Sequence, residues 1–417
     1  LLRNLSCNLV TSINMKILYV QPGPGMGGSK ISLYQMFKCA SSSQKSILAL
    51  SAPQQTAYEA LVQPFVEKIF YQDIPTWQKY HRRTWLEKLK APCGNAYRIL
   101  KTIPAAIKLA KIIKAENIDL VHTNNSITPV GALAGWMAKT PHVWHVREAF
   151  GSKRQFRPIL SDALTYWLMK QLSDVIICNS AYTAEPFHNR HIKHTIIQNG
   201  IDLSDFPDKN SRGETIRSLY AIKQDEIVIG MVGNLSTELK RHNIFLDMAQ
   251  VLLKDHHQLK FVVFGASSNL GQTEYTRSLA EQVNRSGLSD KVIWAEFIED
   301  TAAMMNSIDI LVHPALTEGS GRVIMEAMAA GKPVVGMKSG GVQELIRDGE
   351  NGFLVQPGND QDLAVKVKLL IEDENLRQIV AANARIYAHS NFSNQANMRA
   401  IEDVYHILVR EEAKKNA

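Results

Sequence analysis

Two glutamates in the last third of the chain have a spacing and a setting that suit ligand binding. Glu318 lies in a glycine-rich loop, and Glu326 follows eight residues later, inside a helix predicted over Arg322–Ala330. Good helix formers fill this segment and a glycine ends it. Carboxylates accept hydrogen bonds from hydroxyls, and the N-terminus of a helix favours phosphate. The pattern therefore predicts a ligand with a polyol end and a phosphate end, as in a sugar nucleotide.

Short apolar strands and polar loops surround these acids. A strand is predicted from Val334, another is expected to begin at Ile227, and further strands are expected at 260–265, 291–294 and 308–313. Near the start of the chain, a strand at Lys16–Gln21 leads into a glycine loop that contains Gly27 and Gly28, and a helix comes after it. Such a loop lets backbone N–H groups approach a phosphate, although a plain tight turn would have the same residues. Strands that alternate with helices predict an α/β fold with parallel sheets.

Length and composition bound the class of protein. The chain has 417 residues, enough for two domains, and no apolar run approaches the roughly 20 residues that cross a bilayer. The four cysteines are scattered and form no Cys-x-x-Cys pair. This argues against a zinc site and favours reduced thiols in the cytoplasm.

Positive charge is concentrated in one region. Lys79–Lys114 contains ten Lys or Arg and one acid, whereas the whole chain has a net charge of +7. Leu100, Ile103 and Ile107 share a helical face with Ala110 and Ile113, which predicts a helix packed on a sheet. A cationic face that contacts an anionic membrane is the sharper interpretation, which the aromatic residues Trp77, Tyr80 and Trp85 upstream favour. Nucleic-acid binding is disfavoured because no recognition motif accompanies the charge.

The stretch Thr317–Ile346 resembles the signature of the retaining glycosyltransferases of the group 1 or family 4 class. That family has a glutamate, seven residues and a second glutamate, and the segment EAMAAGKPVV, which begins at Glu326, is also similar to the family. Asn199–Asp202 also resembles the turn that ends the first domain in this family. The resemblance implies a GT-B fold: two Rossmann-like domains face each other across a cleft, and a C-terminal helix crosses back to the first domain.

The resemblance also implies domain limits. We expect an acceptor-binding domain over 15–205, a domain that binds the nucleotide sugar over 206–390, and a C-terminal helix over 391–417 that packs on the first domain. Met15 begins the first predicted strand. Either translation begins at this methionine, or residues 1–14 form an extension outside the fold.

A reaction and its participants are implied by the same resemblance. It implies a metal-independent hexosyltransferase without a cofactor, which moves a hexose from a UDP- or GDP-linked sugar to a glycan or lipid-linked acceptor with retention. The implied setting is cell-envelope polysaccharide or glycolipid synthesis, in the cytoplasm or at the inner face of the membrane. Candidate catalytic residues are His145, Lys240 and Glu318. Candidate donor-binding residues are Gly27, Gly28, Gly233, Asn234, Arg241, Gly319, Ser320, Gly321, Arg322 and Glu326.

One position departs from the family's pattern. The family has an arginine after the glycine of the first strand in the second domain, and this chain has Asn234 there. Lys240 matches the family's lysine, and Arg241 or Arg322 could supply the missing charge. Alone, Lys240-Arg241 would be interpreted as a solvated loop pair. His145 matches a histidine beside the donor sugar, although a core histidine is the alternative.

Other functions fit less well. Asp360-Gln361-Asp362 has the form of a metal-binding Asp-x-Asp motif, but it follows Pro-Gly at a helix start, which favours helix capping. The glycine loop near Gly27 is a poor dinucleotide fingerprint, which disfavours a dehydrogenase. A sugar-nucleotide epimerase and a non-catalytic sugar-nucleotide-binding protein of the same fold are the alternatives that stay open.

Overall fold

The computed structural model describes residues 14–23, 27–51, 57–79, 85–151, 156–207, 212–235, 238–265 and 270–416. Residues 1–13 of the expected extension, Tyr80, Arg82 and Arg83 lie outside the described residues, and the side chains of residues 85–93 are also not described. Two compact units divide the chain. The first comprises Leu1–Asn179, Ala184–Ile197 and Gln395–Ala417, and the second comprises Ser180–Thr183 and Gln198–Asn394. The domain limits expected from the sequence stay a prediction.

A parallel sheet forms the centre of the first unit. Its five inner strands are mostly buried and rich in apolar residues, as is typical of parallel sheets, and its two edge strands are partly exposed. The strands are β1 (Met15–Gln21), β2 (Gln44–Leu50), β3 (Lys68–Tyr71), β4 (Leu120–Thr123), β5 (His142–Val146), β6 (Val175–Cys178) and β7 (His194–Ile196). The spatial order is β3-β2-β1-β4-β5-β6-β7. Sequence order therefore runs outward in both directions from the boundary between β1 and β4.

Helices cover both faces of this sheet. One face packs on α1 (Gly28–Cys39), α2 (Ala57–Val62) and the final helix, which is labelled in chain order below. The other face packs on α3 (Trp85–Ala115), α4 (Val130–Ala138), α5 (Asp162–Gln171) and α6 (Ala181–His188).

The second unit repeats this plan. Its sheet has the order β10-β9-β8-β11-β12-β13, so sequence order runs outward from the boundary between β8 and β11. The elements are α7 (Arg212–Leu219), β8 (Ile227–Val232), α8 (His242–Leu252), β9 (Leu259–Phe264), α9 (Glu274–Arg285), β10 (Val292–Ala295), α10 (Thr301–Asn306), β11 (Ile310–His313), α11 (Arg322–Ala329), β12 (Val334–Met337), α12 (Val342–Leu345), β13 (Phe353–Val355), α13 (Gln361–Glu372) and α14 (Glu374–Asn391).

The C-terminal helix α15 (Asn394–Asn416) packs in the core of the first unit. Met398, Ile401 and Tyr405 are fully buried there, in one cluster with residues of β1. The Tyr405 hydroxyl lies 2.7 Å from Nδ1 of His122 at β4. The expected return of the last helix to the first domain is thus confirmed.

The helix α3 packs with a different face from the one predicted. Leu100, Ile103 and Ile107 are exposed, so the sequence prediction was wrong for these three and right for Ala110 and Ile113. Among the described side chains of α3, the buried ones are mostly small, which lets the helix lie close to α4 and the sheet. They are Thr102, Ala105, Ala106, Leu109, Ala110 and Ile113.

Candidate active site

The first part of the site lies at the boundary between β8 and β11 in the second unit. In open α/β sheets, ligands bind beyond the carboxyl ends of the strands at such a point. Gly233 follows β8, and a Cβ there would lie 3.1 Å from Cγ of Lys240. The absence of a side chain at Gly233 therefore leaves room for the lysine to cross the strand end. His313 ends β11 and is buried.

Lys240 and Glu318 form a close ion pair. Nζ of Lys240 lies 2.6 Å from Oε2 of Glu318, and about a quarter of each side chain is exposed. Burial raises the pKa of Glu318, but the Lys240 ammonium and His313 together outweigh burial and hold this pKa well below its ordinary value. Nε2 of His313 lies 3.5 Å from the same oxygen, too far for a strong hydrogen bond. Burial lowers the pKa of His313 below 6.5, so this ring is neutral at pH 7.

Two glycines of a neighbouring loop hold the Glu318 loop in place. The amide of Gly341 donates to the Glu318 carbonyl at 2.9 Å. A Cβ at Gly340 would lie 2.4 Å from that carbonyl oxygen, and Gly340 has φ +56°. A Cβ at Gly341 would lie 2.4 Å from the carbonyl oxygen of Gly319. Only glycine fits at these two contacts.

Glu326 and Arg322 lie one turn apart on α11. Nε of Arg322 donates to Oε1 of Glu326 at 2.7 Å, and both side chains are nearly buried. Burial raises the pKa of Glu326, and Arg322 opposes this shift. Gly321 precedes the helix with φ +68° and offers no side-chain cap, and the neighbouring hydroxyl of Ser320 accepts from the Asn199 amide at 2.7 Å.

Arg241 has a carboxylate partner outside this loop. Its Nη1 and Nη2 lie 2.9 and 2.5 Å from Oδ1 and Oδ2 of Asp360. Asp360 occupies the N-cap position of α13 but makes no side-chain capping bond. The predicted capping by its carboxylate was therefore wrong, because the bidentate pair with Arg241 takes both oxygens. Asn234 is exposed just beyond β8.

The first unit has its own polar cluster at the boundary between β1 and β4. The amide of Asn124, just after β4, donates to Oε1 of Gln21 at 2.6 Å and to the Ser29 carbonyl at 3.0 Å. Nε of Arg147, after β5, donates to Oδ1 of Asn124 at 2.7 Å. Asn179, after β6, donates to the Arg147 carbonyl at 3.0 Å. Side-chain bonds thus join the carboxyl ends of these strands.

The glycine loop borders this cluster. Gly27 and Gly28 are exposed, and a Cβ at either would meet no atom within 4 Å. Gly27 begins α1 without a side-chain cap. Lys30 is buried in the first turn, with Nζ 5.0 Å from the ring centre of Tyr58, and burial lowers its pKa. Among the described residues, the N-terminus of α1 therefore has no side-chain cap and lies beside a lysine.

His145 lies inside the first unit rather than at its surface. Its ring is fully buried, with Nδ1 3.3 Å from Nη2 of Arg147 and the ring centre 5.2 Å from that of His122. Burial lowers its pKa well below 6.5, and the Arg147 charge adds to this shift. Nε2 of His145 has no hydrogen-bond partner among the described residues. The predicted contact between His145 and a donor sugar stays a prediction.

Comparisons with known proteins agree with this arrangement. The family described as "Glycosyl transferases group 1" matches residues 213–387, and "Glycosyltransferase Family 4" matches residues 68–205. The Anabaena protein HepE, solved in complex with UDP and glucose, aligns with a TM-score of 0.75 and 25% identity over 94% of this chain and 99% of that protein.

The chain belongs to the group 1 / family 4 glycosyltransferases. Its fold is the GT-B fold. An Escherichia coli relative is the UDP-Gal:alpha-D-GlcNAc-diphosphoundecaprenol alpha-1,3-galactosyltransferase, 24% identical over 75% of this chain and 81% of the relative. The capsular polysaccharide biosynthesis glycosyltransferase CapM of Staphylococcus aureus is 26% identical over 52% of this chain and 55% of the relative.

Within this glycosyltransferase, the second unit brings several of the predicted residues together. Lys240 pairs with Glu318, and Arg322 pairs with Glu326 across the first turn of α11. Sequence reasoning missed Gly340 and Gly341 as supports of the site, although Ser-Gly-Gly after a strand was the available signal. Among the described residues, no group of three His, Cys, Asp or Glu is placed to hold a metal ion.

Proposed function

We propose that this glycosyltransferase moves a hexose from a nucleoside diphosphate sugar to an acceptor hydroxyl, with retention at the anomeric carbon. The observation that carries the proposal is the ion pair between Lys240, which follows β8, and Glu318, which lies just before α11. The N-terminus of α11 has no side-chain cap. A cation, the N-terminus of a helix and two acids there suit the diphosphate and the hydroxyls of one ligand.

The diphosphate would be bound by Lys240 and by the amides that begin α11. As the glycosyl–phosphate bond breaks, negative charge grows on the leaving diphosphate, and donors aimed at that charge lower the barrier. In the resting state Lys240 already neutralises Glu318, so donor binding exchanges one anionic partner of the lysine for another. Gly319, Ser320 and Gly321 supply the backbone of this phosphate site.

The two acids have different proposed roles. Glu318, which is ionised at neutral pH because its pKa is lowered, would accept hydrogen bonds from the transferred sugar and orient it. Glu326 is more deeply buried and would accept hydrogen bonds from the ribose hydroxyls of the nucleotide. The proton of the acceptor hydroxyl would leave with the diphosphate, so the reaction uses neither a metal ion nor a cofactor.

The family's arginine is replaced here by the neutral Asn234, and neither Arg241 nor Arg322 is placed to supply the missing positive charge directly. Arg241 is held by Asp360 and Arg322 by Glu326, so each arginine would have to leave its acid to reach the diphosphate. We propose that Lys240 and the helix N-terminus carry most of the charge stabilisation. A non-catalytic sugar-nucleotide-binding protein is the second candidate, because both arginines are already paired.

The donor and the acceptor are proposed from the relatives. HepE was solved with UDP and glucose, and the E. coli relative uses a UDP-sugar and a lipid diphosphate acceptor, which favours UDP over GDP. We propose a glycan or lipid-linked acceptor in cell-envelope polysaccharide or glycolipid synthesis. The enzyme would act in the cytoplasm, with peripheral contact to the inner face of the membrane through Lys79–Lys114. No described helix is both long and apolar enough to span a bilayer.

A ligand panel tests the donor site. Thermal unfolding is measured with UDP, GDP, ADP, their sugars and NAD, with and without Mg²⁺, for the wild type, Glu326→Ala and the exposed control Glu281→Ala. A ligand at 100 times its dissociation constant adds about 2.7 kcal/mol to stability. We expect a shift with UDP and its sugar, independent of Mg²⁺, lost in Glu326→Ala and kept in Glu281→Ala. A shift with NAD alone would reject the transferase.

Turnover separates the transferase from the binding protein. Slow hydrolysis of the UDP-sugar without acceptor is measured by proton NMR from the first minutes. Early release of the α-anomer from an α-linked donor supports retention, and early release of the β-anomer contradicts it. A thermal shift without any hydrolysis or transfer would favour the non-catalytic alternative.

A further inference from the structure

The outer face of α3 carries an apolar stripe. Tyr97, Leu100, Ile103 and Ile107 recur at a spacing of three or four residues, which places them on one side of the helix. All four are exposed, and Leu100 is 67% exposed. The opposite side of α3 is the one that packs on the sheet and α4. The stripe is therefore left over after the core of the first unit has formed.

Positive charge accompanies the stripe, and the part of the helix that carries the stripe contains no acid. The segment 97–115 contains no Asp or Glu. Lys101, Lys108, Lys111 and Lys114 are exposed on the same helix. At 100° per residue, Lys111 and Lys114 lie between or beside the apolar positions, and Lys101 and Lys108 lie along one edge. Long lysine side chains can keep their ammonium groups in water while the helix face beneath them enters an apolar phase.

Neighbouring helices on the same side of the sheet expose large aromatic residues. Trp136 of α4 is 64% exposed and Trp167 of α5 is 55% exposed, and Leu164 of α5 is exposed beside it. Tryptophan and tyrosine are enriched where a bilayer meets water, because each has an apolar ring and a polar hydrogen-bonding group. Three helices of one layer thus present residues suited to an interface.

We propose that the outer surface of α3, α4 and α5 docks on an anionic lipid bilayer, with the α3 stripe inserted among the headgroups. The inference rests on the proposed function, because a lipid-linked acceptor would be reached from such a surface. The occupant is a bilayer rather than a protein groove because the stripe lies on the outside of a helix, flanked by cations and with no acid on that helix segment. A second copy of the chain would bring the same lysines face to face.

This surface differs from the membrane contact predicted from the positive charge of Lys79–Lys114 and the aromatic residues near its start. Trp77, one of the aromatic residues that precede α3, is buried, with Nε1 donating to the Ser126 carbonyl at 2.7 Å and its ring stacked on Trp144. Trp77 therefore cannot reach a membrane. The anchor instead combines Leu100, Ile103 and Ile107 with the lysines, so binding needs apolar insertion as well as attraction between charges.

Vesicle sedimentation tests both components. The full-length protein is mixed with vesicles of phosphatidylcholine alone or with about one third phosphatidylglycerol. We expect binding only to the anionic vesicles. The triple variant Leu100→Ser/Ile103→Ser/Ile107→Ser and the charge variant Lys108→Glu/Lys111→Glu should each weaken binding at least tenfold. The matched control Ile379→Ser/Ile386→Ser removes exposed apolar residues from α14 and should bind like the wild type.

Fluorescence reports the docked face directly. Trp136 and Trp167 are expected to shift to shorter wavelength when anionic vesicles are added, and Trp136→Phe should reduce the shift. The UDP-induced thermal shift should be the same in the stripe variant as in the wild type, which shows that the variant folds and separates this inference from the proposed function.

Three results would overturn the proposal. The first is equal vesicle binding by the wild type and the stripe variant. The second is no binding of the wild type to anionic vesicles. The third is a wild-type dimer in light scattering that the stripe variant converts to a monomer, since the stripe would then be an interface between copies. If UDP does not bind the wild type, the proposed function is rejected, and the vesicle results still decide whether this surface docks on a membrane.

Discussion

Glu318 and Glu326 lie eight residues apart, yet their surroundings shift their pKa values in opposite directions. Burial raises both pKa values, but at Glu318 the Lys240 ammonium and His313 together outweigh burial. A carboxyl whose pKa falls on folding contributes stability above its unfolded pKa, and that stability is lost as the pH falls through the folded pKa. A carboxyl whose pKa rises on folding does the reverse, so its contribution is lost as the pH rises through the folded pKa.

We therefore expect Glu318→Gln and Glu326→Gln to respond to pH in opposite ways. Glu318→Gln should lower the unfolding temperature at pH 7, and this loss should begin to shrink below pH 4.5, where an unfolded glutamate gains its proton. The unfolding temperature of Glu326→Gln should compare best with that of the wild type at pH 7, and it should fall relative to the wild type as the pH is lowered towards 4. Calorimetry from pH 4 to 8 measures both, with Glu281→Gln as the exposed control. Parallel pH profiles for the two variants would contradict the opposite shifts.

Lys240 is the residue whose loss should cost the most activity. Lys240→Met removes the cation proposed to face the leaving diphosphate. Loss of one such donor typically lowers the rate by a factor of about 10²–10³. We expect kcat for sugar transfer to fall by that factor, with a partial recovery in Lys240→Arg. Steady-state kinetics with UDP-sugar measures it, and the exposed control Lys254→Met should keep wild-type rates. An unchanged kcat in Lys240→Met would show that another group stabilises the negative charge of the leaving diphosphate.

The sequence was informative about residues whose chemistry lies within one motif. The interval from Glu318 to Glu326 and the position of Lys240 were readable, and the structure joins Lys240 to Glu318. The partner of Arg241 was not readable, because Asp360 is more than a hundred residues away and meets it only through the packing of α13. The sequence left a core position of His145 only as an alternative, because α15, which helps to cover that side of the sheet, comes from the far end of the chain.

At the scale of elements, the loop before α12 fixes the loop before α11. Gly340 and Gly341 contact the backbone of Glu318 and Gly319 directly, so the position of the first acid depends on two residues without side chains. The strands and helices themselves were largely predictable from apolar runs and glycine ends. The outward face of α3 was not, because small residues on its inner face allow close packing and the larger apolar residues then remain outside.

Substitution of Gly340 separates this contact from backbone strain. In Gly340→Ala the Cβ would lie 2.4 Å from the Glu318 carbonyl oxygen at φ +56°, whereas Gly349 has φ +78° and no atom within 4 Å of its Cβ position. Strain alone costs roughly 1–2 kcal/mol. We expect the free energy of unfolding of Gly349→Ala to fall by that cost only. The free energy of unfolding of Gly340→Ala should fall by about 1–3 kcal/mol more, because the added Cβ overpacks the contact with the Glu318 carbonyl.

Nucleotide binding distinguishes the two glycine variants further. Gly340→Ala should weaken UDP binding in calorimetric titration, since Glu318 and the amides after it move together. Gly349→Ala should bind UDP like the wild type. Equal stability and equal UDP affinity for the two variants would show that the Gly340 loop does not position the site.

At the scale of the whole molecule, the chain is two compact units, and the last helix belongs to the first of them. Ile401 of α15 is fully buried in the cluster that contains β1, while the proposed donor site lies in the second unit. A core mutation in one unit and a ligand in the other act on separate sets of contacts. Effects on separate sites usually add.

Ile401→Ala combined with UDP tests this separation. Ile401→Ala should lower the free energy of unfolding by about 2–5 kcal/mol, because it leaves a cavity in the core of the first unit. UDP at 100 times its dissociation constant should add about 2.7 kcal/mol, in the variant as in the wild type. Urea unfolding with and without UDP measures both, and Ile386→Ala on exposed α14 is the control. If UDP binds Ile401→Ala more weakly than the wild type, the two units are coupled and the donor site depends on the packing of α15.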